Sequence, residues 1–465
     1  MHTSIVGRWA ARSAAFLVPL IASAVAFAQD AAEAPPTANS GDTAWVLTAT
    51  ALVLMMTLPG LALFYGGLVR SKNVLNVFMQ CFIAAGAVGV LWVLVGYSIA
   101  FSGSDDASYF GNLAKAGLAG VTTESLIGTI PEYIFVMFQG MFAIITPALI
   151  LGAVVERMKF SSFLLFISIW LLVVYCPLAY MVWGGGWIFD SGAIDFAGGL
   201  VVHMSSGFSA LAAAIVLGKR KGYGKEPMPP HSLPLCLIGA GLLWTGWFGF
   251  NAGSALSASP LATLAFLNTS TAASTAVLAW AIIEWIHRGK PTALGAATAA
   301  VAGLVAITPA CGAVTPMGSI LVGLGVAIVC YAALTFLKPM LGYDDSLDAF
   351  GVHGLGGAWG ALAAGIFGVT LGSGIESNGQ QIAVQLKSIV FTAIYAPVAT
   401  FVILYAIKLV MGLRVTDEDE YEGLDVSQHS ESAYSMSAGS SMGSASGSHA
   451  MAAESYATST QARHA

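Results

Sequence analysis

The chain has 465 residues, of which 57% are hydrophobic and only 9% charged, against roughly a quarter charged in a soluble domain. That composition excludes a soluble enzyme and any basic nucleic-acid-binding module, and indicates an all-α integral membrane protein. The formal net charge of −6 says little about partners, because Asp417, Glu418, Asp419, Glu420, Glu422, Asp425 and Glu431 crowd the C-terminal part. Five cysteines (Cys81, Cys176, Cys236, Cys311, Cys330) sit in apolar sequence without CxxC spacing, which marks packing residues rather than disulfides or metal ligands.

In chain order, Arg8 and Arg12 precede an apolar core at 14–27 that ends in Ala26-Phe27-Ala28. A positive start, a short apolar core and a small-x-small site predict a signal peptide over 1–28. A short periplasmic segment, 29–43, follows. Eleven apolar runs then succeed one another, at 44–68, 74–101, 134–155, 160–183, 196–217, 235–255, 261–283, 293–310, 317–337, 350–369 and 389–410. They are continuously apolar rather than alternating, which selects transmembrane helices over a β-barrel. Arg70, Lys72, Arg157, Lys159, Lys219, Arg220, Lys221, Lys225, Arg288, Lys290, Lys338, Lys408 and Arg414 fall on one side if the spans alternate, and only Lys115 and Lys387 on the other. Cytoplasmic loops attract cations, so the mature N-terminus is expected outside and the C-terminus inside. A membrane domain is thus expected over 44–411. An acidic cytoplasmic tail follows at 412–434, and a Ser/Gly/Ala-rich stretch at 435–465 has the composition of a disordered extension.

Of eight histidines, only His203 and His353 lie inside long apolar runs. An ionisable side chain at membrane depth is a functional-site hypothesis by default, since burying it costs free energy. Each follows an aspartate, Asp195 and Asp348 respectively, in Gly-rich sequence. The histidines fall in the fifth and tenth runs. Two halves of five spans would be inverted repeats, with their sites meeting at the midplane and the eleventh helix appended. Asp195, too far along the chain to reach a substrate beside His203, is expected to cap free N–H groups at the start of its helix. Asp348 holds a comparable place before the tenth run. No P-loop or dinucleotide fingerprint occurs, and two histidines with few carboxylates make a poor zinc site. Neither a cofactor nor enzymatic activity is expected, with a membrane metallohydrolase as the rival from that class.

Several strings resemble the ammonium transporter (Amt/Mep/Rh) family, its bacterial Amt branch above all. They are Pro59-Gly-Leu-Ala-Leu-Phe-Tyr-Gly-Gly-Leu, Phe138-Gln-Gly-Met-Phe142, Met181-Val-Trp183-Gly-Gly-Gly, Gly246-Trp-Phe-Gly-Phe250-Asn-Ala-Gly-Ser254, Thr308-Pro-Ala-Cys-Gly and Phe350-Gly-Val-His353-Gly. The tail strings Gly412-Leu-Arg-Val and Glu422-Gly-Leu-Asp425-Val belong to the same pattern. The resemblance runs from about Ala44 to Tyr434. It implies eleven helices, a homotrimer in the bacterial inner membrane, and one pore per subunit.

The resemblance also implies roles. Phe142, Trp183 and Ser254 form an outer recruitment site, where aromatic faces supply cation–π attraction and a hydroxyl accepts a hydrogen bond. Phe142 and Phe250 make a two-ring gate. His203 and His353 line the narrow pore, and a pair of imidazoles can share a proton while still offering donors and acceptors. Asp195 is structural and electrostatic. The implied partners are ammonium or ammonia, with methylammonium as a candidate analogue, the lipid bilayer, two further subunits, and a PII signal protein at the cytoplasmic tail. Two rivals remain at this level. A Rhesus-type ammonia gas channel is disfavoured by Trp183 and Ser254, and an ammonium sensor signalling through its tail is disfavoured by the lack of an output domain after Val410.

Overall fold

A computed structural model describes residues 37–103, 108–368 and 378–434. The expected signal peptide at 1–28 and the extension at 435–465 lie outside the described residues. The bundle consists of α1 (Ser40–Leu68), α2 (Ser71–Phe101), α3 (Glu132–Val154), α4 (Phe160–Asp190), α5 (Gly199–Leu217), α6 (Leu233–Gly253), α7 (Pro260–Arg288), α8 (Ala293–Ile307), α9 (Pro316–Leu341), α10 (Phe350–Phe367) and α11 (Asn378–Met411). Ten of these are long and apolar enough to cross a bilayer, and α8 is the shorter one. Two short helices, α12 (Asp417–Glu422) and α13 (Leu424–His429), form the tail.

Helix starts follow local chemistry. Ser232, Ser259 and Thr315 cap α6, α7 and α9, each with a proline in the first helical turn. A hydroxyl that accepts from an otherwise free backbone N–H is worth about 1 kcal/mol, and proline there loses no hydrogen bond because its N–H would be free anyway. Thr292 caps α8 in the same way.

The eighth apolar run differs from its expected extent. Its helix stops at Ile307, residues 308–313 continue as turns, and Val314 pairs with Gly368 in an isolated bridge. Fifteen residues span about 22 Å at 1.5 Å per residue, short of the roughly 30 Å hydrocarbon core. Irregular backbone at such depth is tolerated only where protein covers it. Asn268 of α7 provides this cover, its side-chain amide donating to the carbonyls of Cys311 and Val314 at 2.8 Å each.

α3 and α5 are the most enclosed of the long helices, whereas α11 turns Val390, Ile394, Val398 and Val402 outward. The small residues act where helices cross. A Cβ on Gly207 of α5 would stand 2.1 Å from the backbone N of Gly354 in α10, so only glycine lets these two backbones meet. That contact brings the two histidine-bearing segments together.

At the end of the bundle where the tail docks, the turn after α3 carries Glu156 with a positive φ of 69°. Its carboxylate binds Arg70 at 2.8 Å and Arg220 at 3.0 Å, and Arg220 also binds Asp344 at 2.9 Å. Burial works to raise the Glu156 pKa, but the guanidiniums of Arg220 and Arg70 prevail and hold it below the usual carboxylate range. Five cations that the sequence assigned to one side (Arg70, Arg157, Arg220, Lys338 and Arg414) make ion pairs or hydrogen bonds within this one layer.

Candidate functional site

Both histidines sit on widened, π-type turns at the beginnings of their helices, Gly199–Met204 in α5 and Phe350–Leu355 in α10. Such turns free side chains from the regular helical register and recur at functional sites. Gly198, at φ 111°, reverses the chain immediately before the first of them. The Asp195 carboxylate then accepts from the backbone N–H groups of Gly198 (3.0 Å), Gly199, Leu200 (2.9 Å) and Val201 (3.2 Å). The expected cap is present. Burial pushes the Asp195 pKa up to about 6 against the pull of these four N–H groups.

The second aspartate is a different residue from the one the sequence suggested. Asp348 lies in left-handed backbone, φ 62°, and its carboxylate is bound to Lys338 at 2.5 Å. The start of α10 is capped instead by Asp345, which accepts from the Phe350 N–H at 2.7 Å and is wholly buried. Asp345 stands eight residues before His353, as Asp195 stands eight before His203.

The histidines are both buried, and their Nδ1 atoms approach to 3.3 Å with ring planes 22° apart. One Nδ1 must carry a hydrogen and the other a lone pair, so the contact holds one shared proton. His203 Nε2 is buried and makes no protein hydrogen bond. The rings form one wall of a slot of about 10 Å³ closed by Leu243, Trp247, Tyr65 and Phe250, which is about the room of one small molecule. Trp247 is a lining residue to which the sequence pattern gives no role. Its ring lies 5.4 Å from that of His203 at 25°, and its Nε1 donates to Thr308 Oγ1 at 2.9 Å. The spacing Trp247–Phe250, one helical turn, was the available signal.

The slot lies between two chambers. On the side away from the tail lies one of about 380 Å³, lined by Phe142, Trp183, Ser254, Gln139, Phe135 and Tyr97 among others. Phe142 and Phe250 stack at 4.1 Å and 29° between this chamber and the slot, and Phe142 meets Trp183 edge-on at 6.2 Å and 86°. Trp183 Nε1 donates to the Asp195 carbonyl at 2.9 Å, which ties the chamber wall to the α5 cap. Ser254 donates its hydroxyl hydrogen to the Phe250 carbonyl at 2.8 Å, leaving its lone pairs for a guest. Of the six residues assigned to recruitment, gate and pore, Phe142, Trp183 and Ser254 line this chamber and Phe250, His203 and His353 line the slot beyond it. On the tail side a chamber of about 340 Å³ begins at His353 and includes Asp348, Glu284 and Tyr331. Glu284 is engaged by the Thr292 N–H at 2.7 Å. Among the described residues no group of three or more His, Cys, Asp or Glu side chains could hold a metal ion.

The tail docks on the same molecule. Leu413 and Val415 pair with the 157–159 turn, and Arg414 binds Glu420 at 2.5 Å. Asp425 accepts from the Asn76 N–H at 2.8 Å near the start of α2.

Comparison with known proteins agrees with this geometry. The profile of the Ammonium Transporter Family matches residues 44–434. The chain is 48% identical to the ammonium transporter of Bacillus subtilis over 402 residues, covering 85% of this chain and 98% of that protein. It is 46% identical to ammonium transporter Amt1 of Archaeoglobus fulgidus, covering 85% and 100%. Among solved structures, Mep2 of Candida albicans superposes with a TM-score of 0.76 at 36% identity, covering 82% of this chain and 88% of that one. A structure titled Sensor Amt Protein gives 0.78 at 30% identity, covering 84% and 98%. With a helical membrane bundle and this extent of similarity, the chain belongs to the ammonium transporter family.

Proposed function

We propose that this transporter recruits ammonium in the chamber away from the tail, between Phe142, Trp183 and Ser254, and passes it to the His203–His353 pair as ammonia with the proton relayed separately. Stripping water from a small cation is costly. Aromatic faces repay about 0.5–2 kcal/mol each, more as the site dries, and Ser254 adds a lone pair. The Phe142–Phe250 stack excludes hydrated ions and opens for the bare guest. In the tautomer with the shared hydrogen on His203 Nδ1, His203 Nε2 is a bare acceptor. A proton given up by ammonium goes to that nitrogen, the shared hydrogen moves to His353 Nδ1, and one proton leaves from His353 Nε2. Ammonia, now neutral, crosses the slot.

The observation that carries this reading is the 3.3 Å contact between two buried imidazole nitrogens in the narrow slot between two chambers. By the same reading the Trp183 chamber faces the periplasm, the tail lies in the cytoplasm, and the chain works as a homotrimer in the inner membrane. The tail from Gly412 to Tyr434 is the docking element for a PII protein. A sensor role is the second reading, favoured by the likeness to the Sensor Amt Protein and by a tail latched onto the 157–159 turn after α3. Current and ammonia flux recorded together in proteoliposomes test the central claim. A current that persists at wild-type size when both histidines are alanine overturns it.

A further inference from the structure

Resting on the recruitment reading above, we infer that the Gln139 side chain is a further acceptor for ammonium in the Trp183 chamber, and that it sets the preference for ammonium over methylammonium. Gln139 lies four residues after Phe135 and three before Phe142 on α3, so all three share one helical face. All three line the chamber.

The polar inventory of this chamber is short. The Tyr97 hydroxyl donates to Glu132 at 2.6 Å, Trp183 Nε1 donates to the Asp195 carbonyl, and the Ser254 hydrogen goes to the Phe250 carbonyl. Gln139 alone among the lining side chains carries a polar group with no protein partner. Its Oε1 is buried without a hydrogen bond, and its Nε2 is the end left accessible. No protein group fixes which end of the amide faces the chamber. With Nε2 inward the amide offers only N–H donors, which a cation repels. With Oε1 inward it offers a carbonyl oxygen, and an ammonium guest stabilises that orientation by a charge-assisted hydrogen bond. The amide is thus a two-position acceptor that the cation itself selects.

Ammonium has four N–H donors. Ser254 Oγ and Gln139 Oε1 take two, and the ring faces of Phe142 and Trp183 attract the remainder. Methylammonium has one donor fewer and places a methyl group against one of these partners, so it depends less on a full set of acceptors.

The experiment compares wild type, Gln139→Leu, Gln139→Glu and, as a control for the site itself, Trp183→Leu in proteoliposomes, with ammonium and methylammonium in turn. Gln139→Leu should raise the half-saturating ammonium concentration about tenfold, raise that for methylammonium by less, and leave maximal flux within about twofold. Gln139→Glu, nearly isosteric, should lower the half-saturating ammonium concentration by about threefold or more. A loss of maximal flux in both variants without change in half-saturation would make Gln139 a packing residue and overturn the inference. If Gln139→Leu fails to assemble, Gln139→Glu still decides, since wild-type half-saturation and an unchanged substrate ratio in that variant overturn it. A shift with Trp183→Leu but none with either Gln139 variant defeats this inference alone; no shift with any of the three defeats the recruitment reading as well.

Discussion

Asp195 and Asp345 occupy the same place relative to the two pore histidines, each eight residues upstream and each turned back to accept backbone N–H groups at the start of its helix. Both are buried, and burial pushes both pKa values up to about 6. The N-terminal end of a helix carries partial positive charge, so a carboxylate there is favoured, and its hydrogen bonds fix where the first turn begins. A matched pair of caps thereby sets the register of both imidazoles. The two caps are unequal, because Asp195 also holds the Trp183 wall through its own carbonyl.

Asparagine at either position keeps one acceptor oxygen and aims an NH₂ group at backbone donors. Leaving a buried donor unsatisfied costs about 1–3 kcal/mol. Asp195→Asn should therefore lower ammonium flux by about tenfold or more, and Asp345→Asn by less, since fewer N–H groups depend on it. Protonation should act in the same direction. With folded values near 6 and an ordinary value of 3.8, the caps are ionised above about pH 6 and neutral below it. Because the shift is upward, the neutral forms do not weaken the fold; stability tied to these groups is greatest below pH 3.8 and declines through pH 6. Flux, measured at fixed ammonium while the pH falls from 7 to 5, should drop in wild type and drop less in Asp195→Asn, where only Asp345 of the two caps still titrates. Equal pH profiles for the two proteins would remove Asp195 as the titrating group.

Much of this site was legible because its chemistry is carried by residue types that are rare in apolar sequence. Two histidines in uncharged runs, and Phe142, Trp183, Phe250 and Ser254 in their Gly-rich strings, line the slot and the neighbouring chamber. Asp345 was not legible. Choosing between neighbouring aspartates required knowing that Lys338, ten residues upstream, would claim Asp348, and that Asp348 would turn into left-handed backbone. Trp247 was hidden for another reason: an aromatic residue on an apolar helix reads as core until a ring is found stacked on it. The end of α8 at Ile307 is marked by Pro309, which disfavours helix at Thr308, but the side chain that satisfies the following turns, Asn268, comes from a different helix and has no local signal.

Recruitment by ring faces predicts a change in apparent affinity rather than in maximal rate. Trp183→Leu removes one face of the chamber and the hydrogen bond to the Asp195 carbonyl. A cation–π contact of about 1–2 kcal/mol corresponds to roughly five- to thirtyfold in half-saturating ammonium. Ser254→Ala should cost a similar factor, and both should reduce discrimination against potassium. Concentration series by solid-supported electrophysiology, with potassium as competitor, provide the measurement. Unchanged half-saturation and selectivity in Trp183→Leu would remove the ring from the recruitment site.

The histidine pair predicts a separation of charge from ammonia. His203→Ala with His353→Ala removes both titratable groups from the slot, so ammonium-driven current should vanish while uncharged ammonia still leaks. A single substitution leaves one unpaired imidazole and room for a water, and an intact cation then passes with poorer selectivity. Current and vesicle alkalinisation read in the same liposomes separate these cases. Full current with wild-type selectivity in the double variant would make both histidines packing residues.

The tail predicts a pH-dependent latch. His429 of α13 packs edge-on against Phe160 at 5.0 Å, and its Nε2 lies 2.9 Å from the Asn76 amide nitrogen. An amide N–H donates, so the imidazole there accepts and is neutral. Burial lowers the His429 pKa, although Asp425 and Glu431 pull it upward. A histidine whose folded value lies below its ordinary one of 6.5 contributes stability that is complete above pH 6.5 and lost as the pH falls below it. Asp425, whose pKa burial raises, works in the opposite direction, its contribution growing as the pH falls. Protonation of His429 removes the acceptor for the Asn76 amide, so docking of 417–429 should loosen between pH 7.5 and 6. Hydrogen exchange of that segment, corrected for intrinsic rates, should show lower protection at pH 6 in wild type. His429→Asn, which keeps a polar side chain but cannot be protonated, should exchange alike at both pH values. Truncation after Val410 should abolish PII binding and truncation after Tyr434 preserve it. Equal PII binding by full-length protein at pH 7.5 and 6, despite a loosened tail, would show that docking uses some other surface.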